Sequence, residues 1–236
     1  MGHPGRRPSG GADHQLRGHL QGGSTPAIDP TTDSVYVRTG NNYLIPAAAD
    51  KCVANALKNH TSDANCTAAD DYFDSVLSLN LKTGKIYWGR KVEGYDAWTL
   101  ACLFQPSGVG WCPSPEGDDY DFGSAPNLFT TRSSAGKAET LVGDGQKSGI
   151  YWAFNAATGK LAWDTLVGPG SADGGALWGT ATDGSRIRAR DRGRLGLLGL
   201  GLPQVRQRFR QQTAVRLRRQ LNGSNHGTPD AAQRTA

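Results

Sequence analysis

DSVLSLNLKTGKIYW, from Asp74 to Trp88, returns later in the chain as SGIYWAFNAATGKLAW, from Ser148 to Trp163. In both stretches alternating apolar residues run to an Asn, then to Thr-Gly-Lys, then alternate again as far as a Trp. Period-two alternation on either side of a turn is a β-hairpin, and Gly84 and Gly159 can take the positive φ that such a turn demands. A hairpin repeated with its terminal Trp at the same offset predicts an all-β array in which each unit docks an aromatic on its neighbour.

The flanking sequence continues that grammar. STPAIDPTTDSVYVRTGNNY, residues 24–43, reads as a strand, an Asp-Pro turn and a second strand Ser34–Arg38 that runs into a Gly-Asn-Asn turn. A loop holding Cys52 and Cys66 follows, then the first hairpin. Residues 89–120 read as a long loop rich in Pro, Gly and Asp that holds Cys102 and Cys112. Strands over 127–131 and 139–145 lead to the second hairpin, and residues 177–187 open a third unit. The expected fold is an incomplete β-propeller of about two four-stranded blades plus one or two strands of another.

Composition narrows the function classes. The 32 Gly and single Met in 236 residues fit a turn-rich β protein. No run of about 18 apolar residues is present, so no membrane-spanning helix is expected. The opening residues have no apolar core of the kind a signal peptide carries. Charge is unevenly spread: residues 23–185 hold 18 acidic against 11 basic side chains, whereas residues 186–236 hold twelve Arg and no Lys. Three segments are therefore expected: 1–22, outside the propeller and disordered; 23–187, the partial propeller; and 188–236, an Arg-rich tail that is disordered or forms a short helix around 204–221. A basic arm for nucleic acid is one reading of that tail. Its Arg-only basicity and Gly-Leu redundancy are also what a GC-rich gene read in a wrong frame yields, and no nucleic-acid partner is expected.

Four Cys in two close pairs suggest Cys52–Cys66 and Cys102–Cys112 disulfides and an oxidising compartment, although the count alone leaves connectivity open. No Cys-x-x-Cys occurs, and no Cys-x-x-Cys-His for attaching a c-type haem.

Thr39-Gly40-Asn41, the doubled Thr-Gly-Lys-x-x-Trp hairpins, and GYDAW (94–98) followed by DYDFGSAPNLF (119–129) together resemble the pyrroloquinoline quinone (PQQ) dependent alcohol dehydrogenases. The branch they resemble is that of the polyvinyl-alcohol-dehydrogenase-like quinoproteins, whose loops also carry extra Cys. The resemblance covers about residues 23–187, roughly two blades and part of a third from a propeller of eight. It implies a periplasmic oxidoreductase that moves hydride from an alcohol, plausibly polyvinyl alcohol, to PQQ, with a cytochrome c-type electron acceptor. It also implies Ca²⁺, held by Asn and acidic oxygens, as Lewis acid, and a carboxylate that takes the alcohol proton.

Carried onto this chain, Asn41 matches the family's Asn calcium ligand, and Lys147, in GQKSG, matches the basic residue that bonds the quinone oxygens. The family's base follows a Trp, but Trp98 is followed by Thr99. Asp121 fits as base and calcium ligand if residues 99–119 are an insertion; Asp96 fits if the base lies two residues upstream of the Trp. A Cys102–Cys112 bridge would pin that insertion over the site and offer Phe104 and Trp111 as a substrate wall. Gly22 stands where the family has a Trp that stacks under PQQ, and Trp178 resembles the equivalent place in a later blade, where a structural role is expected. Other cofactor contacts come in the family from blades that precede residue 23, so the chain is expected to be a fragment and inactive alone. The rival reading is a non-catalytic propeller scaffold, which would not need Asn41, Asp121 and Lys147 to converge.

Overall fold

The computed structural model describes residues 25–132, 136–183, 186–190 and 212–216. The first sheet holds β1 (Ala27–Asp29), β2 (Ser34–Arg38), β3 (Ser75–Asn80) and β4 (Ile86–Lys91), antiparallel and in chain order. The second repeats it with β5 (Asn127–Arg132), β6 (Ala138–Gly145), β7 (Ile150–Asn155) and β8 (Leu161–Leu166). These are two blades of an open, incomplete propeller. Both hairpins have the expected turn, with Gly84 and Gly159 at φ of 71° and 66°. In each the Asn closes the turn, Asn80 Oδ1 accepting from Thr83 and Asn155 Oδ1 from Thr158. The backbone of each Asn also bonds the residue after the Gly, Lys85 or Lys160.

The docking aromatic does what its repetition predicts. Trp88 is buried and donates its indole N–H to the Ala156 carbonyl at 3.0 Å, in the turn of the second blade's hairpin. Its ring lies so close to Gly159 that a Cβ there would come within 2.6 Å of Trp88 Cδ2. Tyr36 and Phe154 tilt against the same ring, and Val76, Phe122 and Val142 complete the core between the blades. Trp163 repeats the arrangement one blade on. It stacks on Tyr151 and tilts against Phe129, in a core that reaches Ile187 and Ala189 of the next sheet.

Three expectations are corrected. The segment carrying Cys52 is not a loop but a helix, α1 (Ala47–Asn59). Its sequence, AAADKCVANALKN, is rich in strong helix formers, and Ala49, Val53 and Ala56 form a buried stripe at helical spacing. His60 ends it in the left-handed conformation, its N–H bonding back to Leu57. Second, the expected helix around 204–221 is, over its described part, a strand: β11 (Gln212–Arg216) pairs antiparallel with β10 (Arg186–Arg190), which also pairs with β9 (Ala181–Thr182). Thr213 and Val215 are β-branched, and β10 offers them an edge on which to form a ladder. Third, the expected break at residue 187 falls inside β10 rather than at its end. The rest of that expected helix and the expectations for residues 1–22 lie outside the described residues.

The expected disulfides are both formed, Cys52–Cys66 and Cys102–Cys112. The first ties α1 to the loop before β3. The second closes ten residues of the long loop, from Cys102 within a short 3-10 helix (Leu100–Leu103) to Cys112.

Candidate functional site

The strand ends of the two blades come together where β2 runs out and the chain returns at the end of β6. Past β2, Asn41 N–H donates to Asp121 Oδ1 at 2.8 Å. Past β6, Lys147 Nζ lies 2.6 Å from Asp121 Oδ2 and 2.9 Å from Asp119 Oδ2, and the Lys147 N–H bonds the Asp121 carbonyl. Asp119, Asp121 and Asn41 are buried. Asn41 donates its amide N–H to the Asn42 and Trp98 carbonyls, at 2.9 and 2.7 Å, so its Oδ1 is turned from those carbonyls. Asn41, Asp121 and Lys147, singled out separately in the sequence, thus meet across the two blades.

The long loop delivers Asp121 through backbone contacts. Gly117 N–H bonds the Ala97 carbonyl, Trp98 N–H bonds the Asn42 carbonyl, and Asn42 pairs with Ala97 as an isolated bridge. Trp98 and Asp121 therefore both reach Asn41, though 23 residues separate them in the chain. Phe104 and Trp111 are 81% and 72% exposed, so neither forms a wall within the described structure. Trp178 is 74% exposed with φ of 65°, and its N–H bonds the Gly123 carbonyl.

Asp96, the alternative base, is placed differently. Its carboxylate accepts the N–H groups of Asp119 and Tyr120 at 3.1 and 2.7 Å, and so shapes the turn that presents Asp121. It also belongs to a second acidic group. One oxygen each of Asp74, Glu93 and Asp96 lies within 4.8 Å of the others. Glu93 Oε1 accepts from Gln146 Nε2 at 2.7 Å, across the blade boundary, and Trp152 and Ser148 donate to Gln146 Oε1. Neither Asp74 oxygen has a hydrogen-bond donor among the described residues, although Asp74 is wholly buried.

The electrostatics follow from burial and from neighbours. Burial alone would lower the Lys147 ammonium, but Asp121 and Asp119 outweigh it and hold its pKa above the ordinary lysine value. Burial lifts Asp119 to about 8, with Lys147 pulling it down and Asp121 pushing it up. Burial, then Asp96 and Asp118, lift Glu93 to about 9. Asp74 is driven well above the usual carboxylate range by burial and by Asp96, Glu93 and Asp121. A further carboxylate, Asp144, is raised to about 7 by burial despite the attraction of Arg38 and the Gly145 N–H.

Sequence reasoning missed Asp119 as the second partner of Lys147, and missed Asp74, Glu93 and Gln146 altogether. Asp118 and Asp119 stand in an acidic run beside Asp121, and nothing in the local pattern marks Asp119 as the buried partner of a distant lysine. Asp74 and Glu93 flank β3 and β4, which the register Ser75–Lys91 places side by side, so the hairpin itself implied their proximity.

No family model matches the chain. It is 31% identical over 165 residues to the polyvinyl alcohol dehydrogenase of a Pseudomonas species, a match covering 70% of this chain and 21% of the relative. To the polyvinyl alcohol dehydrogenase of Sphingopyxis sp. (strain 113P3) it is 29% identical over 189 residues, covering 75% of this chain and 25% of the relative. The chain thus spans between a fifth and a quarter of these curated relatives. Among solved structures, the quinohemoprotein alcohol dehydrogenase of Comamonas testosteroni matches 70% of this chain and 24% of its own, with TM-score 0.44 and 16% identity. A quinohemoprotein alcohol dehydrogenase of Pseudomonas putida HK5 matches 63% and 18%, with TM-score 0.41 and 18% identity.

Proposed function

The chain belongs to the PQQ-dependent quinoprotein alcohol dehydrogenases, beside the polyvinyl alcohol dehydrogenases, and from that premise we propose that its two blades carry the proton-accepting side of an alcohol-oxidising site. The observation that carries the reading is the meeting of Lys147, Asp121 and Asn41 across the blade boundary. A non-catalytic scaffold has no need of a buried Lys bound to two buried carboxylates.

The donor set fits the groups that the family uses. An amide oxygen on Asn41 and a carboxylate on Asp121 are hard ligands of the kind Ca²⁺ takes. Lys147 is a buried cation suited to the carboxylates and quinone oxygens of PQQ. When bound, PQQ with its Ca²⁺ supplies a polarised carbonyl that accepts hydride. Asp121 takes the hydroxyl proton of the alcohol; two lone-pair sites remain on its carboxylate beyond the bonds to Asn41 N–H and Lys147. Lys147 holds that carboxylate in place through its ion pair, and Asp96 holds the turn that carries it.

Two protein oxygens fall short of the six to eight ligands that Ca²⁺ takes, so the chain alone binds PQQ weakly and does not turn over. The substrate class is a secondary or polymeric alcohol, the compartment is periplasmic, in keeping with two disulfides, and the electron acceptor is a c-type cytochrome. Titration of the full chain with PQQ in 1 mM Ca²⁺, followed by Trp fluorescence, tests the reading. Saturable binding that weakens about tenfold or more in Lys147→Ala is expected, a buried charge-assisted contact being worth about 1.5–3 kcal/mol. Equal affinity in wild type and variant would overturn it.

A further inference from the structure

The carboxylates of Asp74 and Glu93 have no role in the site described above, Asp96 enters it only by holding the turn that carries Asp121, and the surroundings of the three are hard to reconcile with a purely structural role. All three come from the first blade, at the end where β3 begins and β4 finishes. Among the described residues no Lys or Arg is ion-paired with any of them: Lys147 is held by Asp119 and Asp121. Lys91 bonds Thr67 and the Ala68 carbonyl and lies over the Phe73 ring.

Asp74 adds an independent observation. It is 0% exposed, and both its oxygens lie without a donor. Its backbone is also held at φ of 39°, in the left-handed region that non-glycine residues rarely adopt. Gly40 accepts its N–H and Val92 donates to its carbonyl, so the strand ends on both sides fix this conformation. A buried acceptor without a donor costs about 1–3 kcal/mol, and more when charged; left-handed strain adds to it. The first cost vanishes for an apolar residue at this position, and the second for glycine. They are explained if something occupies the space that Asp74 faces.

The spacing identifies it. Oxygens coordinating Ca²⁺ at about 2.4 Å lie on a sphere on which no two are more than about 4.8 Å apart, and the three carboxylates meet that limit. The donors are all oxygen, which favours Ca²⁺ over the softer transition metals. Gln146 Nε2 orients Glu93, and the Asp119 and Tyr120 N–H groups orient Asp96, as outer partners commonly orient ligands. We propose that Asp74, Glu93 and Asp96 form a divalent-cation site of the Ca²⁺ class, separate from the Asn41–Asp121 pair. The cation joins β3 and β4 to the segment that presents Asp121, and through Glu93 and Gln146 it ties the first blade to the second.

The test uses the full chain, freed of metal by chelation, with Ca²⁺ as the only addition and PQQ absent, so that it does not depend on the quinone reading. Calorimetric titration and thermal unfolding are followed together. Saturable binding is expected, with a Tm higher by about 5 °C or more when Ca²⁺ is in hundredfold excess over its Kd. Asp74→Asn should weaken binding at least tenfold while leaving the Tm in chelator equal to or above that of wild type, since it removes an unpartnered carboxylate. Glu93→Gln should weaken binding likewise, which keeps the test open if either variant folds poorly. Asp164→Asn, at an exposed carboxylate on β8, should leave binding intact. Absence of Ca²⁺ binding, binding that survives both carboxylate variants, or binding lost equally in Asp164→Asn would each overturn the proposal.

Discussion

Two largely buried acidic groups lie close together, and they are treated in opposite ways. Asp119 and Asp121 share a lysine from the neighbouring blade, at 2.9 and 2.6 Å. Asp74, Glu93 and Asp96 share no ion-paired cation among the described residues; one amide N–H reaches Glu93, two backbone N–H groups reach Asp96, and Asp74 has none. Burial pushes carboxylates toward their neutral form wherever nothing offsets it. The first group is therefore matched by a counter-charge from the neighbouring blade. In the second, the described residues leave a demand for positive charge unmet. Proximity of acids alone does not separate a base from a cation site; what separates them is whether the chain supplies the counter-charge.

The largest expected effect erases the difference. Lys147→Met leaves Asp119 and Asp121 buried without a counter-ion, and urea unfolding should show a loss of about 3–5 kcal/mol at neutral pH. A loss below about 1 kcal/mol would mean that the lysine does not compensate that pair and that the contrast is false.

Asp144 offers an intermediate case, facing Arg38 on β2 and Tyr151 on β7. Its folded pKa, about 7, lies above the ordinary 3.8. A carboxyl raised in the fold contributes stability that is fully present below pH 3.8 and is lost as pH rises through about 7. The penalty at pH 8 is at most about 4 kcal/mol. Asp144→Asn should therefore gain little or nothing over wild type near pH 4 and progressively more toward pH 8, measured as the difference between the two unfolding curves. A gain independent of pH would show that Arg38 already satisfies this carboxylate.

The smallest effect concerns orientation. Trp152 Nε1 donates to Gln146 Oε1 and so turns the Gln146 amide toward Glu93. Trp152→Phe removes one neutral hydrogen bond, worth about 1 kcal/mol, and should slightly weaken Ca²⁺ binding while sparing the Lys147 pair. An equal loss of PQQ affinity would mean that the two acidic groups are not distinct.

The blades were legible because their information is local. Alternation, an Asn and a Gly at fixed offsets, and a terminal Trp specify each hairpin, and the repeat of Trp88 by Trp163 specifies how blades dock. Helix α1 was missed because the Cys within it drew the segment toward a loop reading, although its Ala-rich run and its stripe at 49, 53 and 56 point to a helix. Asn41, Asp121 and Lys147 could be picked out only by their match to a family pattern, since 80 and 26 residues separate consecutive members and no periodicity joins them. The second acidic group carried no pattern at all. Asp74 sits inside the quoted hairpin as an unremarked first letter, and its meaning depends on a buried environment that only the folded register creates.

The central claim is that Asp121, and not Asp96, accepts the alcohol proton. Its most direct test is turnover in a chimera, in which this chain's residues 25–183 replace the matching stretch of the Sphingopyxis polyvinyl alcohol dehydrogenase. In dye-linked oxidation with saturating PQQ and Ca²⁺, Asp121→Asn should lower kcat by about 10²–10⁴ with PQQ still bound, and Asp96→Asn should lower it less than about tenfold. The reverse ranking, with turnover lost in Asp96→Asn and kept in Asp121→Asn, would contradict the account and transfer the base to Asp96.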